Sequence, residues 1–335
     1  MSVVSIIGAG SWGTSLSILL NKNGHDVRVW SLFQDEVDML NDEREHKKNL
    51  PGVRIPESVI FTTNLKDCLD GHNYIVIVVP SQVVRETCRL LKPYVYKDDI
   101  VIICSKGLEE KTGMRLSEVI LSEISDVQPV ALYGPSHAEE VAHGIPTTVV
   151  AASSNRDAAI EVQDLFMSPA FRVYTSSDLI GAEIGSALKN IIALCGGICD
   201  GLGYGDNSKA ALITRGITEI ARLGKAMGAS SKTFAGLTGI GDIIVTCTSN
   251  HSRNLRAGRL IGKGYTVEEA QNEIKMVVEG ISATRAAKEL ADRYNISMPI
   301  IQEAYKILFE GKQCKEAVYD LMTRSRKHET EDTGW

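Results

Sequence analysis

Lys189 lies in Gly181-Ala182-Glu183-Ile184-Gly185-Ser186-Ala187-Leu188-Lys189-Asn190, where Gly181, Gly185 and Lys189 recur at a spacing of four and so share one helical face. Small residues on that face let a partner approach the backbone, and the apolar run Ile191–Leu194 follows the lysine. A partly desolvated ammonium has a lowered pKa and can exchange a proton near neutral pH. The alternative is a lysine whose stem covers the helix while its head reaches water. A second lysine, in Ser105-Lys106-Gly107, follows the strand-like run Ile100–Cys104. At the C-terminal edge of a strand it would point into the crevice where open α/β sheets bind ligands, unless it is simply solvated. Gly239-Ile240-Gly241-Asp242 sets a carboxylate in a glycine-rich turn, either to pair with Lys189 or to cap the next segment. His251-Ser252-Arg253-Asn254 groups a hydroxyl, a guanidinium and an amide, a set suited to a phosphate. With Arg256 and Arg259 following, it also reads as a solvated basic helix start. Gly134-Pro135-Ser136-His137-Ala138-Glu139 offers backbone donors and one hydroxyl at another strand end, and would otherwise be a plain turn.

These groups fit hydride transfer, which needs a proton donor or acceptor at the carbinol oxygen, a grip on the substrate's charged end and a dinucleotide. Gly8-Ala9-Gly10-Ser11-Trp12-Gly13 supplies the pattern for the last. On its own the pattern is weak, but here an apolar strand precedes it and the helical stretch Thr14–Asn21 follows. Gly8 permits the tight turn, Gly10 lets backbone approach the pyrophosphate, and Gly13 lets helix and strand pack closely. The residue after the second strand should select the dinucleotide: an acid for the ribose hydroxyls, an arginine for the 2′-phosphate. Ser31-Leu32-Phe33-Gln34 contains neither, so NAD and NADP both stay open. Phe33 would line the adenine or act as an ordinary packing residue.

The elements that must position these residues divide the chain in two. Runs Val3–Ile7, Val27–Trp30, Ile75–Val79, Ile100–Cys104, Val130–Tyr133, Thr147–Ala151 and Phe171–Tyr174 alternate with helix-length segments. Such apolar strands suit a parallel sheet covered on both faces and built from βαβ units. After the polar cluster Thr175-Ser176-Ser177-Asp178, helical periodicity dominates: Ile180–Leu194, Ala210–Met227, Thr266–Lys275, Ser282–Tyr294 and Pro299–Leu308. The expectation is a Rossmann-type doubly wound α/β domain over residues 1–178 and an all-helical substrate and catalytic domain over 179–335, packed closely together. The polar tail from Lys327 to Trp335 is expected to fray.

The bulk properties agree with this division. A chain of 335 residues is long for one core, and 44% apolar residues suffice for burial. A net charge of −6 argues against binding nucleic acid or an anionic membrane, although a local basic pocket is compatible with it. Seven cysteines without a CxxC pair point to reduced thiols in the cytoplasm. Cys195 and Cys199, one helical turn apart, could suggest a metal, but without a nearby histidine they read as small packed residues and no metal is expected. No basic segment precedes the first apolar run, and no stretch of about 18 apolar residues predicts a membrane span.

Taken together, Ser105-Lys106-Gly107, Gly134 to Glu139, Gly185 to Asn190, Gly203-Tyr204-Gly205-Asp206-Asn207, Leu237 to Asn254 and Met276-Val277-Val278-Glu279-Gly280 resemble the bacterial NAD(P)-dependent glycerol-3-phosphate dehydrogenases along nearly the whole chain. The resemblance implies interconversion of dihydroxyacetone phosphate and sn-glycerol 3-phosphate for phospholipid synthesis, a small-molecule phosphate substrate and a homodimer. It implies Lys189 as the proton-exchanging residue, Lys106 touching both cofactor and substrate, and Asp242 beside them. Gly134, Ser136, Asp242, Ser252, Arg253 and Asn254 match substrate-binding positions. Ser11, Trp12, Ala138, Arg253, Val277 and Glu279 match cofactor contacts, beside Gly8, Gly10, Gly13 and Phe33 from the local reading. Leu32-Phe33 departs from the His-Arg type pair of many members, which favours the 2′-phosphate, so NADH is expected to serve at least as well as NADPH. The competing readings are a β-hydroxyacid dehydrogenase with a carboxylate substrate and a non-catalytic NAD(H)-sensing protein.

Overall fold

The computed structural model describes residues 1–326, 328 and 329. The expectation for the tail from Lys327 to Trp335 therefore falls, His328 and Glu329 apart, outside the described residues. Eight strands form one sheet: β1 (Val3–Ile7), β2 (Asp26–Trp30), β3 (Ile60–Thr62), β4 (Tyr74–Ile77), β5 (Ile100–Ile103), β6 (Gln128–Tyr133), β7 (Thr147–Ala152) and β8 (Phe171–Ser176). Their order is β3-β2-β1-β4-β5-β6-β7-β8. The first six strands thus follow the doubly wound order, which reverses between β1 and β4. Apolar residues fill both faces, Ile6, Val29, Val76 and Ile102 on one and Ile7, Ile77, Val101 and Ile103 on the other.

Three details differ from the sequence reading. β3 has only three residues, with Ile60 exposed, too short and too mixed to register as an apolar run. β7 runs antiparallel to β6, whereas the other neighbouring strands are parallel. The reason is length. The helix between them, Ala138–Ala142, has five residues and rises only about 7.5 Å, too little to carry the chain back along a strand for a parallel start. β4 ends at Ile77, two residues before the expected Val79, and the backbone of Val78 and Val79 passes beside Gly8, where a Cβ would stand 3.1 Å from the Val78 carbonyl.

From Leu179 onward the described chain is helical. Asp178 caps the long helix Leu179–Gly201, its carboxylate accepting from Gly181 N at 2.9 Å. This helix continues past Leu194, the end expected from the periodicity, through Gly196 and Gly197 to Gly201. The glycines are there for contact: a Cβ on Gly197 would stand 2.1 Å from Leu255 O, and one on Gly258 2.0 Å from Leu194 O. The helix Arg253–Gly262 can therefore lie almost backbone to backbone against it. By length and composition the long helix could cross a membrane, but 89% of its apolar window is buried within the protein, as a core helix requires. Cys195 and Cys199 are part of that buried packing, and burial pushes both thiols up.

The sheet and the helices are fastened by a buried carboxylate. Glu183 of the long helix accepts from Arg115 Nη1 at 2.5 Å, Ser117 N at 2.8 Å and Ser117 Oγ at 2.6 Å, at the start of the helix Leu116–Glu123. That junction sets the long helix, and with it Lys189, against the C-terminal edge of the sheet.

Candidate active site

Three chain segments deliver one carboxylate and two ammonium groups to the same point. Lys189 comes from the long helix and is buried. Gly185, one turn before it, lies so close to the Leu237–Gly241 turn that a Cβ would stand 2.4 Å from Thr238 O. This is the close approach that the glycine spacing predicts. The turn is kinked at Gly239, whose backbone (φ −106°, ψ −105°) is not helical and is pressed onto the Phe234 backbone, 2.1 Å from its carbonyl to a hypothetical Cβ. It ends by presenting Asp242 at the first position of the helix Asp242–Thr248.

Asp242 is 1% exposed, and each of its oxygens accepts from a different lysine. Lys189 Nζ donates to Oδ1 at 2.5 Å and Lys106 Nζ to Oδ2 at 2.9 Å. Asp242 therefore pairs with Lys189, the first of the two alternatives left by its sequence. Lys106 also donates to Gly134 O at 2.9 Å, so the ends of β5 and β6 meet here. Tyr133 Oη donates to Ser105 O at 2.7 Å and steadies the turn that carries Lys106. Gly134 has φ of +155°, and a Cβ there would stand 2.9 Å from both Thr148 O and the Val149 α-carbon, so a side chain has no room.

Two cations share one anion, so the cluster carries a net positive charge that a developing alkoxide or a phosphate can neutralise. Burial pulls the Lys189 ammonium down to about 8, with the charge of Lys106 acting in the same direction and Asp242 opposing both. Asp242 is held below its ordinary range because the charges and hydrogen bonds of Lys106 and Lys189 outweigh its burial.

Three residues here escaped the sequence reading. Thr246 Oγ1 accepts from Lys189 at 2.9 Å and donates to Asp242 O at 2.5 Å. Its position four residues after Asp242, on the same helical face, was the available signal. Asn190 Nδ2 donates to Glu279 Oε2 at 3.1 Å, which brings Glu279 next to the Lys189 turn. His137 lies within the fields of Lys189 and Lys106; burial first, then Lys189, lowers its pKa, and its Nε2 is buried without a partner.

The predicted phosphate set has a mixed placement. Ser252 and Asn254 are buried and already in use: Ser252 Oγ caps the helix Arg253–Gly262 by accepting from Leu255 N, and Asn254 Oδ1 accepts from Gly280 N at 2.8 Å. Arg253 opens that helix and forms no ion pair among the described residues. Ser136 sits in the Gly134 loop, its hydroxyl 3.2 Å from Gly134 O. Val277 is exposed.

The glycine turn has the geometry a dinucleotide requires. Gly8 has φ of +118°, and a Cβ on Gly13 would stand 2.0 Å from Gly8 O, so the third glycine is what lets the helix Ser11–Lys22 meet β1. A Cβ on Gly10 would meet nothing within 4 Å, and no side chain caps the helix. Trp12 Nε1 is buried without a hydrogen-bond partner. Open space over Gly10, uncapped helix N–H groups and an orphaned indole N–H fit a pyrophosphate and its adjoining groups. Ser15 Oγ donates to Ala138 O at 2.9 Å, tying this helix to the loop that carries Ser136. Phe33 is 61% exposed and so is not the packing residue of the two alternatives. An apolar concavity of about 230 Å³ lined by Ile18, Leu19, Val141, Ile145 and Phe171 contains none of these groups and lies apart from the chemistry.

A dinucleotide turn at one end and a lysine–carboxylate cluster at the other match a known pair of domains. Models of the N-terminus and the C-terminus of NAD-dependent glycerol-3-phosphate dehydrogenase match residues 3–159 and 178–319. The chain belongs to this family. It is 52% identical over 335 residues, covering all of both chains, to glycerol-3-phosphate dehydrogenase [NAD(P)+] of Agathobacter rectalis. To the enzyme of that name from Clostridium tetani it is 52% identical over 97% of this chain and 93% of the other. The crystal structure of glycerol-3-phosphate dehydrogenase from Coxiella burnetii superposes with a TM-score of 0.93 at 39% identity, over 96% and 99% of the two chains. As a member of the glycerol-3-phosphate dehydrogenase family the protein is an oxidoreductase that uses NAD or NADP.

Proposed function

We propose that the protein interconverts dihydroxyacetone phosphate and sn-glycerol 3-phosphate, with Lys189 as the residue that gives and takes the proton. The observation that carries this reading is the buried Lys106–Asp242–Lys189 cluster, in which the lysine with the lowered pKa is oriented by a carboxylate and a threonine. When bound, the nicotinamide supplies or accepts the hydride. Lys189 as an ammonium gives its proton to the oxygen of the ketone as it becomes an alcohol, and its charge stabilises that oxygen on the way. In the reverse direction the neutral amine takes the proton. Asp242 orients Lys189 and biases it toward the charged form. Lys106 holds the oxygen-bearing end of the substrate, within the loop formed by Gly134 and Ser136. Arg253, at a helix N-terminus beside Ser252 and Asn254, binds the phosphate. Ser11, Trp12, Gly8, Gly10, Gly13, Ala138, Val277 and Glu279 hold the dinucleotide, with Phe33 against its adenine.

The same reading divides the chain near residue 178 into a dinucleotide-binding part and a helical substrate and catalytic part, and places the enzyme in the cytoplasm as a homodimer that supplies glycerol backbones for phospholipids. Light scattering on the purified chain checks the dimer. The deciding assay follows NADH and NADPH oxidation with dihydroxyacetone phosphate and, in parallel, with a ketone carrying a carboxylate in place of the phosphate. Turnover with the phosphate ketone is expected. Preference for the carboxylate ketone points instead to a hydroxyacid dehydrogenase, and cofactor binding without turnover of either points to a sensing protein.

A further inference from the structure

The end of β2 carries no acid between Ser31 and Gln34, yet the fold brings one there. Glu36, in the first turn of the helix Gln34–Glu43, folds back so that Ser31 Oγ donates to its Oε2 at 2.5 Å. Ser31 directly follows β2 and is buried, and its Oγ also accepts from Phe33 N at 3.3 Å. The other carboxylate oxygen stands 3.3 Å from Nε2 of the buried His46. The hydrogen bonds from His46 and Ser31 hold Glu36 below its ordinary range, and the field of Lys48 adds the weakest of the contributions, so the carboxylate is charged. Leu32 and Phe33, between Ser31 and the helix, are 67% and 61% exposed, an apolar surface beside a fixed negative charge.

In a doubly wound sheet the residue at the end of the second strand faces the adenosine ribose. An acid there accepts from the ribose hydroxyls and repels a 2′-phosphate. We propose that Glu36, anchored on Ser31 and His46, sets the dinucleotide preference of this enzyme, accepting from the ribose hydroxyls of NAD(H) and excluding the 2′-phosphate of NADP(H). This rests on the dinucleotide reading of the glycine turn, and adds to it a discriminating residue that lies outside the segment where sequence would place one.

The test measures binding, not turnover. Dissociation constants for NADH and NADPH are obtained by fluorescence titration of the full chain and of Glu36→Gln, with no substrate present. The unaltered protein is expected to favour NADH, and Glu36→Gln to shift the NADH-to-NADPH ratio toward NADPH by about tenfold, mainly by tightening NADPH. If Glu36→Gln unfolds, the unaltered protein still reports. Raising ionic strength screens a carboxylate–phosphate repulsion and narrows the gap between the two dinucleotides. A ratio that moves with neither the substitution nor salt, while both dinucleotides bind, overturns the role of Glu36 alone. Failure of both to bind the unaltered protein overturns the dinucleotide reading and this inference with it.

Discussion

The glycine turn and the lysine–carboxylate cluster are built in opposite ways. The turn is contiguous: six residues from Gly8 to Gly13 make it, with backbone groups and empty space as the working parts. The cluster is assembled from Lys106, Lys189 and Asp242, which lie on three different segments, and its working parts are buried side chains that need one another. Damage to the turn should therefore be felt in cofactor binding or in folding, whereas damage to the cluster should be felt in chemistry.

The largest effect expected from that contrast is at Lys189. Lys189→Ala is expected to lower kcat by at least ~100-fold in both directions, the usual scale for a lost general acid or base, while NADH binding stays within about twofold. Steady-state kinetics and a fluorescence titration on the same preparation check both halves. Turnover close to that of the unaltered enzyme removes Lys189 from the role, and a matching loss of NADH affinity erases the contrast.

Inside the turn the two glycines separate fold from ligand. Gly10 has φ of −61°, which alanine adopts, and its Cβ would meet nothing within 4 Å. Gly10→Ala is expected to leave thermal stability within about 0.5 kcal/mol and to weaken NADH binding by about tenfold, because the methyl occupies ligand space. Gly13→Ala drives a Cβ against Gly8 O and is expected to cost about 1–3 kcal/mol of stability. Melting curves and titrations on the two variants check this. Equal melting losses would mean that the space over Gly10 is not kept for a ligand.

The same contrast governs what could be read without coordinates. The turn was legible because its meaning is local: strand, glycines and helix follow one another in sequence. Lys106 and Lys189 were legible from their settings, a strand end and a glycine-spaced helical face. Whether Asp242 pairs or caps was not, because the kink at Gly239 and the contact between Gly185 and Thr238 O decide it across more than fifty residues. The antiparallel β7 was hidden for a related reason: strand direction depends on how far the intervening helix carries the chain, and an apolar run looks alike in either direction. Glu36 lies outside Ser31–Gln34, where a selector is expected, and its carboxylate reaches Ser31 only once a helical turn folds it back.

The pH dependence tests the cluster without mutation. With Lys189 at about 8, the ammonium needed to reduce the ketone is present below that pH and lost above it. Limiting rates of reduction should fall as pH rises through about 8, and rates of alcohol oxidation should rise over the same interval. Measuring kcat in both directions between pH 6 and 10, on the order of two units either side of that value, checks the sign. Reduction that accelerates with pH across this range contradicts a proton supplied by Lys189.

A smaller effect distinguishes positioning from proton exchange. Thr246 touches Lys189 and the Asp242 carbonyl, so its proposed part is to hold the ammonium in place. Thr246→Val keeps the shape and removes the acceptor, and an acceptor lost from an ammonium disfavours the charged form. The Lys189 inflection should then move below its present position by about one unit, with kcat for reduction at neutral pH reduced about twofold. Thr246→Ser restores the hydroxyl and should restore the profile. A purely structural loss would lower the rate at every pH and leave the inflection in place, so the movement of the inflection is the reading that ties Thr246 to the cluster and not merely to the helix.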